Sequence, residues 1–148
     1  MTPVATLSDT PDEAAIGAVL RGLSAFNEAA VGGGPLQGPP LFVFLRDGEA
    51  GEALGGLVGR VYGGWLYVEL LYLPEALRGG GWGRRLMGMA EEEARRRGLF
   101  GIRLSTYSFQ ARGFYEGLGY AVYGELPDCP PGHVMYALAK RLAPLGDA

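Results

Sequence analysis

The residues Arg78-Gly79-Gly80-Gly81-Trp82-Gly83-Arg84-Arg85 place four glycines in five positions among three arginines. Upstream lies an apolar run, Trp65 to Leu73. Downstream, from Gly83 to Arg97, Leu86, Met87, Ala90 and Ala94 form a helix-period stripe that Gly98 ends. The junction therefore reads as strand, loop and helix start, where free backbone N–H groups and the positive end of a helix dipole converge on an anion. No Lys-Ser/Thr follows the glycines, as a P-loop needs, and no G-x-G-x-x-G frame fits, so ATP and dinucleotide readings fall away. Arg84 and Arg85 in a first helical turn oppose the dipole by roughly 0.3–1 kcal/mol each, and a bound polyphosphate reverses that sign. The competing structural reading is a glycine turn flanked by solvated arginines.

Working outward, Leu54 to Tyr62 and Trp65 to Leu73 are joined by Gly63-Gly64 alone, which predicts a type I′ hairpin. That turn sets Tyr62 against Trp65 and Arg60 against Tyr67, with Glu69 diagonal to Arg60 on the same face. Leu41 to Leu45 predicts a preceding strand closed by Arg46-Asp47-Gly48, and Ile102 to Thr106 a buried strand parallel to the Trp65 strand. Ser108 is expected to cap a short helix ending at Gly119. Tyr120 to Tyr123 and Val134 to Leu138 are expected to be a final strand pair around Pro127 to Gly132. At the other end, Val4 to Leu7 is read as a short strand, and Thr10-Pro11-Asp12-Glu13 as the start of a helix running to about Ala30, with Ile16, Val19, Leu20 and Leu23 on one face. Gly32 to Pro40 is the linker. The pattern is a mixed sheet with helices packed on it, of α+β type with α/β-style layers.

A chain of 148 residues, 48% hydrophobic and 20% charged, predicts one domain over 1–148. A net charge of −3 argues against nucleic acid as partner, because the global field repels a polyanion. One cysteine and one histidine allow neither an internal disulfide nor a Cys/His zinc cluster, so no metal is expected. No leader-like or membrane-spanning run is found, and a cytoplasmic location is expected.

With both segments read, the chain resembles the GNAT superfamily of acyl-CoA-dependent N-acetyltransferases. Arg78, Gly81 and Gly83 match its signature Q/R-x-x-G-x-G/A; Ala111, Phe114, Tyr115, Gly119 and Tyr120 match A-x-x-F-Y-x-x-x-G-F/Y. The resemblance covers about Leu41 to Leu138. It implies a mostly antiparallel sheet of about six to seven strands, helices on both faces and a splayed parallel pair. It further implies acetyl-CoA as co-substrate, its pyrophosphate on the N–H groups of Gly79, Gly80, Gly81, Trp82, Gly83 and Arg84 beside Arg78. Its pantetheine arm is then expected along the backbone of Leu71, Tyr72 and Leu73.

Direct acetyl transfer needs a neutral amine, a stabilised oxyanion and a proton for the departing thiolate. The resemblance makes Tyr115 the general acid, where spacing alone makes it a core aromatic. Glu69 is the sole charge in its strand: either it activates the amine, directly or through water, or it is the ion-pair partner of Arg60. Cys129 and His133 suggest a thiolate–imidazole dyad or, more simply, a satisfied loop histidine. The Glu91 to Arg97 charge run reads as a solvated helix face. Tyr62, Trp65, Tyr67, Tyr72 and Tyr107 either line an acceptor site or cover sheet faces.

The function that follows is an N-acetyltransferase acting on a primary amine of a small molecule or protein. Its rivals are a catalytically silent acyl-CoA-binding module and a phosphometabolite-binding domain. Loops Gly32 to Pro40 and Pro127 to Gly132 carry little charge and fix no acceptor. Dimerisation through C-terminal strands is common in the family, and the sequence leaves oligomeric state open.

Overall fold

The computed structural model describes residues 1–143. They fall into two compact units, Met1–Leu36 and the chain from Gln37 onward. The first holds α1 (Glu13–Ala30), whose N-cap is Asp12, not Thr10: the Ala15 N–H donates to Asp12 Oδ1 at 3.0 Å. Val4 to Leu7 forms no strand; its residues are exposed and it pairs with nothing among the described residues.

The second unit is a six-stranded sheet in the order β1-β2-β3-β4-β6-β5. Its strands are β1 (Gln37–Arg46), β2 (Ala53–Tyr62), β3 (Trp65–Tyr72), β4 (Gly101–Tyr107), β5 (Ala121–Pro127) and β6 (Val134–Arg141). All neighbours are antiparallel except β3 and β4. The α+β fold with one parallel pair is thus as the sequence predicts. β1 starts four residues before its apolar run, so the linker is shorter than expected. Pro39 and Pro40 are accommodated because β1 is an edge strand with an irregularity between Gly38 and Leu41. Their carbonyls accept from Arg97 Nη1 at 2.7 Å and Nη2 at 3.2 Å.

The β2–β3 hairpin has the predicted register, Tyr62 against Trp65 and Arg60 against Tyr67. Gly63 and Gly64 take φ of 61° and 83°, the two positive values that a type I′ turn requires. Past Val68 the register shifts, because Val58 pairs with Leu70 while Gly59 pairs with Val68, leaving Glu69 as the extra residue of a bulge. The parallel pairing of β3 with β4 also ends there, at Val68 and Leu104. From that point both strands continue without pairing to each other, and a slit opens between Glu69–Tyr72 and Ser105–Tyr107.

Helix α2 (Trp82–Arg96) lays Leu86, Met87, Ala90 and Ala94 on Leu57, Leu66, Ile102, Leu104 and Leu138, all at most 2% exposed. The two alanines bring its axis close to the sheet. α3 (Arg112–Gly117) adds Tyr115 to the same core. Ser108 does not cap α3; its N-cap is Ala111, without a side-chain bond. The Glu91–Arg97 run is only partly a solvated face. Glu91 is 8% exposed and accepts from Tyr120 Oη at 3.0 Å and from Nζ of Lys140 at 3.0 and 3.1 Å. That lysine is the chain's only one, and it ties α2 to β6 through the core rim.

Candidate active site

The slit and the glycine loop lie together because β3 leads into the loop through Leu73, Pro74 and a single 3₁₀ turn, Glu75–Leu77. Gly81 is the N-cap of α2 with φ 87°, a left-handed conformation that an L side chain resists. The backbone N–H groups of residues 79–84 make no hydrogen bond to the protein among the described residues, so six donors face one loop. A Cβ added at Gly79 or Gly81 would meet nothing within 4 Å, which leaves that side of the loop open to an anion. At Gly83 the demand is different: a Cβ there would come within 3.1 Å of the Phe114 ring, so glycine lets α2 and α3 approach. The donor set and the open space fit a polyphosphate.

Arg78 does not extend freely. Its Nε donates to the Leu73 carbonyl at 3.0 Å, holding the loop to the end of β3 and occupying one carbonyl expected to face the pantetheine arm. Leu71 and Tyr72 lie on the stretch of β3 that stays paired to β2 but is no longer paired to β4. Arg85 stacks on the Trp82 ring, 5.3 Å from its centroid. Arg84 lines a shallow cleft between α2 and α3 with Gly88, Gly117, Leu118 and Lys140.

Tyr115 is 9% exposed, edge-on to Phe114 and to Tyr120. Burial pushes its hydroxyl above the ordinary tyrosine value. Among the described residues its Oη has no hydrogen-bond partner, yet no fully buried polar side-chain atom among them lacks one. The hydroxyl therefore keeps some access to solvent. A proton held tightly at an accessible oxygen is the property of a general acid that stays loaded over the working pH range.

Glu69 lies half-exposed at the bulge and meets Arg60 Nε at 3.1 Å. The ion pair predicted from the hairpin register is present. Arg60 and Arg103 both lie over the Tyr67 ring, at 5.1 and 4.5 Å, which marks this as the sheet face opposite the α2 core. His133 does not pair with the Cys129 thiol. Its Nδ1 lies 3.1 Å from Ser108 Oγ, which also accepts from the Val134 N–H at 3.0 Å. The loop histidine is anchored through Nδ1, by a residue twenty-five positions away that no local pattern indicates.

This arrangement of an anion-binding loop at a helix start, a splayed parallel strand pair and a buried tyrosine defines the class. The model of the acetyltransferase (GNAT) family matches residues 25–120, and the chain belongs to this family of acetyltransferases. It is 46% identical over 110 residues to blasticidin-S acetyltransferase of Streptomyces morookaense, covering 72% of this chain and 81% of that one. A crystal structure from Agrobacterium tumefaciens assigned as an acetyltransferase superposes with a TM-score of 0.86 at 38% identity, covering 95% of this chain and all of that one. The fold is also shared by an aminoglycoside 6′-N-acetyltransferase solved with coenzyme A, with a TM-score of 0.62 at 24% identity over 73% of this chain and 76% of that one.

Proposed function

We propose that this chain, acting as one transferase domain over 1–148, moves an acetyl group from acetyl-CoA directly to a primary amine of a small molecule. The observation that carries this reading is the set of six free N–H donors of residues 79–84 at the start of α2, directly after the strand that borders the slit. Acetyl-CoA supplies an activated thioester. The N–H groups of residues 79–84 would hold its pyrophosphate, with the outer nitrogens of Arg78 beside them once Nε is committed to Leu73. The unpaired edge of β3 at Leu71 and Tyr72 would take the extended arm as a further strand takes a sheet edge. Tyr115 protonates the departing thiolate, a role supported by a hydroxyl that burial keeps protonated.

Glu69 is placed by the bulge on the face away from α2, where an amine would approach the slit. We assign it the task of attracting the ammonium form and accepting its proton, directly or through water, with Arg60 orienting the carboxylate. A small-molecule acceptor is favoured by the 46% identity to an enzyme named for blasticidin S. A screen of amines with acetyl-CoA, read by free thiol, tests this. Blasticidin S, aminoglycosides, polyamines, arylalkylamines and lysine peptides are the acceptors, and thiol release with none of them rejects the reading.

A further inference from the structure

At the β4 lip of the slit, three rings stand together, Phe109 and His133 exposed and Tyr107 partly buried. Tyr107 and Phe109 are stacked with centroids 5.4 Å apart and planes 7° from parallel, and His133 meets Phe109 edge-to-face at 4.9 Å and 80°. Phe109 is 56% exposed, so burial does not fix this cluster. The residue between the two stacked rings does. The Ser108 N–H donates to the Val134 carbonyl at 2.8 Å, its Oγ accepts from the Val134 N–H at 3.0 Å, and the same Oγ meets His133 Nδ1 at 3.1 Å. Gln110 closes the other side, its Oε1 accepting from the Tyr107 N–H and from Thr106 Oγ1, both at 3.1 Å. Strand alternation puts Tyr107 on the face of Arg103 and Tyr67, which is the Glu69 face.

Held by a polar clamp, with Tyr107 partly buried beside them, Phe109 and His133 keep ring faces in water that a purely structural cluster would bury. Ser108 Oγ, which accepts from the Val134 N–H, holds the imidazole through Nδ1 and leaves its Nε2 edge out of this contact. Among the described residues Nε2 makes no hydrogen bond. Flat π-systems stack on such ring faces, and an outward ring nitrogen meets a polar group of the ligand.

We propose that Tyr107, Phe109 and His133 form a specificity subsite for the acceptor, one that selects amines carrying an aromatic or heteroaromatic body. This rests on the acetyltransferase reading above. The test measures equilibrium binding to the CoA-loaded protein, together with KM and kcat, for 2-phenylethylamine and its saturated analogue 2-cyclohexylethylamine. Wild type should prefer the aryl amine. Phe109→Ala should weaken aryl-amine binding roughly five- to tenfold, leave the saturated amine within about twofold, and leave acetyl-CoA KM and kcat unchanged. His133→Ala should show the same selective loss, for aryl amines only. Circular dichroism and melting temperature confirm that each variant is folded. Equal losses for both amines, equal wild-type affinities, or no effect of either variant overturn the subsite. If wild type transfers no acetyl group to any amine, the transferase reading fails, and the binding comparison still decides the platform.

Discussion

Gly81 carries two demands at once. Its φ of 87° suits glycine, and its missing Cβ leaves open the space in front of the free N–H groups. Gly81→Asp should raise acetyl-CoA Kd by roughly tenfold or more, since a carboxylate replaces space meant for phosphate and strains the turn. Titration calorimetry checks it; unchanged affinity would move the cradle elsewhere. Tyr115→Phe removes one hydroxyl and keeps the ring in the core. Turnover should fall by about 10²-fold with acetyl-CoA affinity nearly unchanged. Full turnover at saturating substrates would reject Tyr115 as the acid. For Glu69 the two roles predict different losses. Half-exposed ion pairs are worth about 0–1 kcal/mol, so Glu69→Gln should hardly move the melting temperature. As proton acceptor, its loss should cut turnover at saturating substrates; intact turnover would leave Glu69 as the partner of Arg60 alone.

Helix α2 is joined to the sheet by more than its apolar stripe. Lys140→Met leaves the Glu91 carboxylate buried with only Tyr120 and a distant Arg95, 3.9 Å away, and should cost about 2 kcal/mol by denaturant unfolding, the worth of a hydrogen bond to a charged group at a part-exposed pair. An unchanged midpoint would make the contact dispensable. At the C-terminal end of the helix, hydrogen bonds from Arg96 and then Arg97 hold the Glu93 carboxyl at about 2, below the usual carboxylate range. Its folded value lies below its unfolded one, so its contribution is complete above about pH 4.5 and lost as pH falls toward 2. Tyr115 and Tyr120 have the opposite sign. Both are raised, chiefly by burial, so their contribution is complete below pH 10 and declines above it as the unfolded tyrosines ionise first. Unfolding curves from pH 2 to 11 should therefore show both limbs, and Glu93→Gln should remove the Glu93 part of the acidic one.

Across the whole molecule, the proposed reading has charge and the slit select the acceptor. The net charge of −3 offers no attraction to a polyanion, and on the proposed reading the outer nitrogens of Arg78 would be taken up by the cofactor's phosphates. Among the described residues no helix is long and apolar enough to cross a membrane. In the amine screen small amines should be acetylated faster than lysine peptides, with tRNA unmodified. Initial rates decide, and acetylation of tRNA above every amine would overturn the acceptor class. Thermal stabilisation should be larger with CoA than with 3′,5′-ADP or inorganic phosphate, because only CoA reaches from the loop to the slit.

The sequence by itself determined what neighbours in the chain can determine. Two glycines at Gly63-Gly64 set the hairpin register, and with it the Arg60–Glu69 pair, because a two-residue turn leaves no freedom of alignment. The glycine loop, Arg78 and the start of α2 were legible for the same reason, being one continuous stretch. Tertiary structure decided the rest. Burial of Glu91 depends on Tyr120 and Lys140, 29 and 49 positions away, and its run of like neighbours looked no different from a solvated face. The Ser108–His133 clamp joins β4 to β6, and the Glu69 bulge arises where β3 must leave β4 while staying paired to β2. A charge or hydroxyl does not carry its partner in its own local pattern; strand order brings the partner to it.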